Sequence, residues 1–132
     1  MGNRAVLEFK DEPNQPNIYI HWNGGRASVQ AFLNVAKELR FRNDDYGVAR
    51  LCQIIGNFFG GNLSLGVSSG SRSAGDNGVY LIKNFEIIGR RDFDEIEEID
   101  EEKTRTMTEF ILEMEHKLDV LREELSKQEK YQ

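Results

Sequence analysis

An α+β fold is predicted by three periodicities. Two short stretches near the N-terminus alternate apolar and polar residues, two middle stretches repeat apolar residues at helical spacing, and the last forty or so residues form one uninterrupted helical pattern. The expected architecture is a small antiparallel β-sheet, two short amphipathic helices and a long C-terminal helix that mediates oligomerisation. A chain of 132 residues makes one compact domain and buries roughly two-thirds of its unfolded surface. Barrel enzymes and two-domain dehydrogenases are thereby excluded.

Residues 4–10 (RAVLEFK) alternate Ala5, Leu7 and Phe9 with more polar neighbours, and residues 17–22 (NIYIHW) alternate Ile18, Ile20 and Trp22 with Tyr19 and His21. Both read as half-buried strands. The intervening DEPNQP holds both prolines and is a turn or loop, so a hairpin opens the chain. From Ser28 the period changes, and Val29, Phe32, Leu33, Ala36 and Leu39 share one helical face. Asp44 or Asp45 then caps a second helix with the face Val48, Leu51, Cys52, Ile55, Phe58 and Phe59, ended by Gly60-Gly61.

Residues 62–67 (NLSLGV) form a strand, and residues 79–88 (VYLIKNFEII) form a second, richer in β-branched and aromatic residues. Between them runs SSGSRSAGDNG, a Gly/Ser loop longer than most hairpin connections. From Asp92 onward there is neither Gly nor Pro, and Asp94, Glu95, Glu97 and Glu98 suit a helix N-terminus. Along this helix Met107, Ile111, Met114, Leu118, Leu121 and Leu125 step by 4, 3, 4, 3, 4. Such a helix would span about 55 Å, longer than a small body covers, so part of the seam is expected to meet a second copy; the alternative is that it folds back as a helical hairpin or lies along its own body. The organisation is then an α+β ligand-binding body, 1–91, and a long acidic helix, 92–132.

Charge is segregated between these parts. Residues 1–91 carry 11 Lys and Arg against 8 Asp and Glu, a balance of +3, whereas residues 92–132 carry 6 against 15, a balance of −9. Eight of the eleven cations in the body are Arg, whose guanidinium fork suits phosphate or carboxylate. A long nucleic acid would be repelled by the acidic arm. No stretch approaches the ~20 apolar residues of a membrane span. The N-terminus lacks a signal-peptide core, and the lone Cys52 forms no internal disulfide, so a cytoplasmic protein is expected.

The most suggestive constellation is His21-Trp22-Asn23-Gly24-Gly25-Arg26, a strand running through a Gly-Gly turn into a helix. Free N–H groups and the helix dipole attract an anion there, glycines let a ligand approach the backbone, and Arg26 supplies counter-charge. The competing reading is a structural turn capped by Ser28 or Asn23. His21 is either a satisfied sheet residue or a ligand contact. Arg50, Arg72, Arg90 and Arg91 are surface charges unless they converge with Arg26, in which case Trp22, Tyr46, Phe58 or Phe59 adds a stacking surface for a base. Asn77, in Gly75-Asp76-Asn77-Gly78, reads a base edge or makes the turn.

No catalytic or cofactor site is expected. A literal G-x-S-x-G at residues 66–70 is followed by a loop where a nucleophile elbow needs a helix. No phosphate-binding P-loop occurs. The only histidines, His21 and His116, lack partners at zinc-ligand spacing.

The segments GNRAV at 2–6, IYIHWNGGR at 18–26, YGVARLCQIIGNFFGG at 46–61, GDNGVYLI at 75–82 and EIIGR at 86–90 together resemble the small phage-encoded Thoeris anti-defence proteins of the first type. The resemblance covers most of residues 2–91 and does not extend to the acidic helix. It implies a β-rich N-terminal part, helical C-terminal elements, oligomerisation, and immune evasion by sequestration, without hydrolysis, of cyclic ADP-ribose isomers made by bacterial TIR enzymes. Related proteins also bind cyclic oligonucleotides. Carried onto this chain, the resemblance implies an anion-binding turn at Asn23, Gly24, Gly25 and Arg26, charge partners at Arg50 and Arg90, and a polar contact at Asn77. The alternative expectation is an interaction inhibitor or adaptor that works through the acidic helix.

Overall fold

The computed structural model describes residues 2–61, 63–69 and 75–128. Its elements are β1 (Ala5–Phe9), β2 (Asn17–Ile20), α1 (Arg26–Glu38), α2 (Asp45–Phe59), β3 (Leu65–Ser68), β4 (Val79–Lys83), β5 (Glu86–Arg91) and α3 (Glu101–Ser126). The α+β class stands, with five strands in the order β3-β2-β1-β4-β5.

The sheet is mixed where an antiparallel one was expected. β1 pairs antiparallel with β2 but parallel with β4, Val6 lying opposite Val79 and Phe9 opposite Ile82. The reason lies in the long connection after β3, which does not close a hairpin but carries the chain past β2 and β1 to the far side of the sheet. Residues 70–74 of that Gly/Ser connection, Arg72 among them, lie outside the described residues.

The three helices share the sheet face bearing Ala5, Leu7, Phe9, Ile18, Ile20, Tyr80 and Ile82, which form one core cluster with the apolar faces of α1 and α2. On the opposite face Val6 and Val79 form a second, smaller buried apolar cluster, flanked by Tyr19 and Leu81. Helix α2 begins and ends as its residues dictate. The Asp44 carboxylate accepts from the N–H groups of Tyr46 at 3.1 Å and Gly47 at 3.2 Å, and α2 stops at Gly60 with φ 71°. On α1 the expected apolar face is buried except Leu39, which sits past the helix end and is exposed.

Two boundaries differ from expectation. The single strand expected over 79–88 is a tight hairpin, β4 and β5, turning at Asn84 (φ 53°) and Phe85 (φ 57°) with Lys83 paired to Glu86. Left-handed backbone at Phe85 costs about 1–2 kcal/mol. Its ring is only 4% exposed and meets Phe41 edge-on, a burial of comparable or larger value.

The terminal helix begins at Glu101, not at Asp92. Asp92 has φ 59°, and residues 92–100 stay non-helical because they are tied to the sheet: the Arg90 guanidinium stacks on Phe93 and pairs with Glu97. Asp100 is the cap, its carboxylate accepting from the Lys103 N–H at 3.0 Å. No helix among the described residues is long and apolar enough to cross a membrane.

Candidate functional site

The turn from β2 into α1 sits at the sheet end where β1 and β4 begin, and each of its residues has a distinct task. His21 is half-buried; its Nδ1 meets the Tyr19 hydroxyl at 3.0 Å and its backbone bonds to Ser64 and Asn3. Its Nδ1 and backbone are thus tied to the sheet end one residue past β2. Trp22 stands edge-on to His21 at 5.0 Å and is 45% exposed. Asn23 takes the left-handed conformation, φ 57°, and its Nδ2 donates to Ser28 Oγ at 3.3 Å.

The two glycines differ in what they accommodate. A Cβ on Gly24 would lie 2.5 Å from the Asn3 carbonyl oxygen and 2.9 Å from the Ala5 Cβ, so the space it leaves is filled by β1 and not by a ligand. Gly24 also donates its N–H to Asn3 at 2.8 Å and accepts the Tyr80 hydroxyl at 2.8 Å. Burial pushes the Tyr80 hydroxyl above the ordinary phenol range, which keeps it a donor at any physiological pH. Gly25 is the open one. A Cβ there would meet only Asn3 Nδ2, at 3.6 Å.

Gly25 is also the N-cap of α1, and no side chain caps it. The first intrahelical bond runs from Val29 N–H to the Gly25 carbonyl, so the N–H groups of Arg26, Ala27 and Ser28 precede the helical ladder. Arg26 Nε is buried with no hydrogen-bond partner.

Asn77 and Arg90 reach this sheet end but are held by the fold. Asn77 is buried, its Nδ2 donating to Asn3 Oδ1 at 2.6 Å and to the Arg4 carbonyl at 2.9 Å. Arg90 lies between the rings of Tyr80 and Phe93, 3.9 Å from each centroid, with Nη1 on Glu97 at 2.5 Å and Nη2 on the Asn77 carbonyl at 2.8 Å. Both were expected as ligand contacts, and the geometry gives them structural partners. Arg50 does not join them at all. It pairs with Glu115 at 3.2 Å and packs over Phe41.

What the sequence did not single out is the wall opposite the turn, built by the first turns of α3. On one side of the α1 N-terminus, Arg26, Gln30, Asn34, Glu101, Thr104 and Arg105 line a cleft of about 450 Å³. On the other, Asn23, Ser28, Phe58, Lys103, Met107 and Phe110 line one of about 510 Å³, in which the Phe58 and Phe110 rings meet edge-on at 6.2 Å. Of these α3 residues the sequence marked only Met107, as part of the apolar seam, because nothing within a local window shows that this turn of α3 faces Arg26. Phe59 packs on Phe32, and Tyr46 is 69% exposed under Arg42; neither lines a cleft beside α1. No family model, no curated protein and no solved structure matches this chain.

Proposed function

We propose that this chain is a cytoplasmic binding protein that captures a compact phosphorylated small molecule of the cyclic-nucleotide class and releases it unchanged, as its resemblance to the Thoeris anti-defence proteins implies. The observation that carries this reading is the uncapped N-terminus of α1, set between two clefts with an unpartnered Arg26 Nε beside it. Backbone N–H groups, the helix dipole and a guanidinium together suit a phosphate or pyrophosphate. The Phe58 and Phe110 rings in the neighbouring cleft suit a base. Glu101 and Glu102 repel phosphate, but a carboxylate accepts hydrogen bonds from ribose hydroxyls, so the acidic wall sorts the ligand by orientation.

The reading assigns no chemical step. Ser28 accepts from Asn23, Thr104 donates to the Asp100 carbonyl, and His21 is engaged by Tyr19, so these groups do not form a nucleophile-base pair. The alternative, an interaction inhibitor or adaptor, would work through α3, where eight Asp and Glu stand against four Lys and Arg.

Titration calorimetry with the cyclic ADP-ribose isomers, followed by mass spectrometry of the ligand released on heating, tests the proposal. Binding with intact recovery is expected, and Arg26→Ala should weaken it at least about tenfold, or ~1.4 kcal/mol, with an unchanged unfolding midpoint. Failure of every isomer to bind refutes the ligand class; an affinity that Arg26→Ala leaves intact refutes the site.

A further inference from the structure

The two edges of the sheet are built differently. β5 carries Glu86, Arg90 and Arg91 and a bulge opposite Leu81 and Ile82, devices that keep an edge from pairing with another strand. β3, at the other edge, reads LGVS with neither charge nor proline, and its register with β2 is unbroken. His21 donates to the Ser64 carbonyl at 2.9 Å, so by alternation Gly66 and Ser68 turn their backbone groups toward β2 while Leu65 and Val67 turn theirs outward. The side chains of Leu65 and Val67 line a groove of about 510 Å³ with Val48, Ala49 and Cys52 of α2, over the buried Ile18.

We propose that this groove takes an extended peptide of a partner protein, which adds to β3 as a further, antiparallel strand and lies between the sheet edge and α2. An open row of N–H and C=O groups is matched by another extended backbone, and such a strand sends every second side chain to the same face. The two residues opposite Val67 and Leu65 therefore both enter the apolar groove. Charge specifies what precedes them. Gly56, whose Cβ would meet Leu65 Cδ2 at 3.4 Å, marks the Leu65 end of the groove. Asp45, about three turns earlier in α2, lies at the other end, is exposed and has no cationic partner among the described residues. A Lys or Arg two positions before the first apolar residue reaches it, so the recognised pattern is basic-x-apolar-x-apolar.

This inference does not depend on the ligand proposed above, since none of these residues lines the clefts beside the α1 N-terminus.

NMR titration and amide exchange of the full chain in dilute solution, with the acetylated and amidated peptide Lys-Thr-Val-Thr-Val-Thr at up to about 1 mM, test it. Saturable binding is expected, and the Leu65 and Val67 amides, which exchange freely in the chain alone, should gain protection. N-methylation of the peptide's first valine, the residue facing Val67, should weaken binding about tenfold. Ala49→Phe, which fills the groove from an exposed position, should do the same. Replacing the peptide's lysine with glutamate should weaken binding about threefold, and Asp45→Lys should reverse that preference. Absence of binding, binding that the N-methyl group leaves intact, indifference to both charge swaps, or Leu65 and Val67 amides already protected in the dilute chain would each overturn the proposal. Protection that grows with protein concentration alone would overturn it in favour of a second copy at the same edge.

Discussion

The two halves of α3 belong to one continuous helix with one apolar repeat, yet they meet different surroundings. The first half lies on α1 and the core, and the second half projects beyond them. Length accounts for the difference. At 13 residues α1 is about 20 Å long, whereas the 26 residues of α3 span about 39 Å, so α1 can cover only half of it. An apolar repeat thus states that a face must be covered and leaves open by what; the length of the neighbouring element settles how much of that cover is intramolecular.

The largest effect that separates the halves should come from their apolar residues. Ile111 is 0% exposed and contacts the core, so Ile111→Ala should cost about 2–5 kcal/mol. Leu121→Ala, at a position 64% exposed, should stay within about 0.5 kcal/mol under conditions that keep the chain monomeric. Urea unfolding of the two variants gives the comparison directly. Similar losses would mean that the outer half is packed against the body in solution.

Glu115 marks the boundary and should give the next largest effect. Its carboxylate is 2% exposed and accepts from Arg50 Nη2 at 3.2 Å and from Asn57 Nδ2 at 2.8 Å. Glu115→Ala removes both acceptors at once and should cost about 2 kcal/mol. Replacing both ends of the ion pair with leucine should recover most of that loss, because an apolar pair of similar volume needs no desolvated partner. Equal instability of the single and double variants would assign the stabilisation to the Asn57 contact alone.

How far such features were legible in the sequence depends on how local their causes are. The helices α1 and α2 were readable from spacing, from Asp44 and from Gly60, all of which act within a few residues. The β4–β5 turn was not, because Phe85 is a poor residue for left-handed backbone and only its burial against Phe41 makes the turn intelligible. That one miss propagated to the site. Tyr80 and Arg90 are directly opposite each other across the hairpin, so a chain read as one strand leaves Arg90 as a free cation when it is in fact stacked and paired.

The same distinction applies to the remaining errors. Residues 92–100 have helical composition and are held non-helical by Arg90 through Phe93 and Glu97. The parallel pairing of β1 with β4, and the α3 wall facing Arg26, join residues some 70 or more positions apart. Spacing within a window carries no trace of such contacts. The Gly-Gly turn was legible as a place where Cβ atoms are excluded, but the sequence could not tell that Gly24 clears space for β1 while Gly25 opens outward.

The smallest effect concerns pH, and it sharpens the contrast between the packed half of α3 and the sheet end beside the candidate site. Hydrogen bonding by Arg91 holds the Glu8 carboxyl below its ordinary range, with Lys10 adding to it, and hydrogen bonds from the Arg4 side chain and backbone do the same for Asp76. A carboxyl whose pKa is depressed by folding stabilises the native state above its unfolded pKa, and that contribution fades as pH falls through the folded value. The ties should therefore be intact at neutral pH and weaken progressively below about pH 4. Asp76 fastens the turn that positions Asn77, whose N–H bonds the Arg4 carbonyl at 3.1 Å. Amide exchange at Asn77 should accordingly speed up, relative to its intrinsic rate, on acidification from pH 5 to pH 3, while Ile111 in the packed half of α3 keeps its protection. Asp76→Asn should make Asn77 exchange insensitive to this pH change. If Ile111 lost protection in step with Asn77, acid would be acting on the whole fold, and the sheet end would not be the separately fastened region that its ion pairs describe.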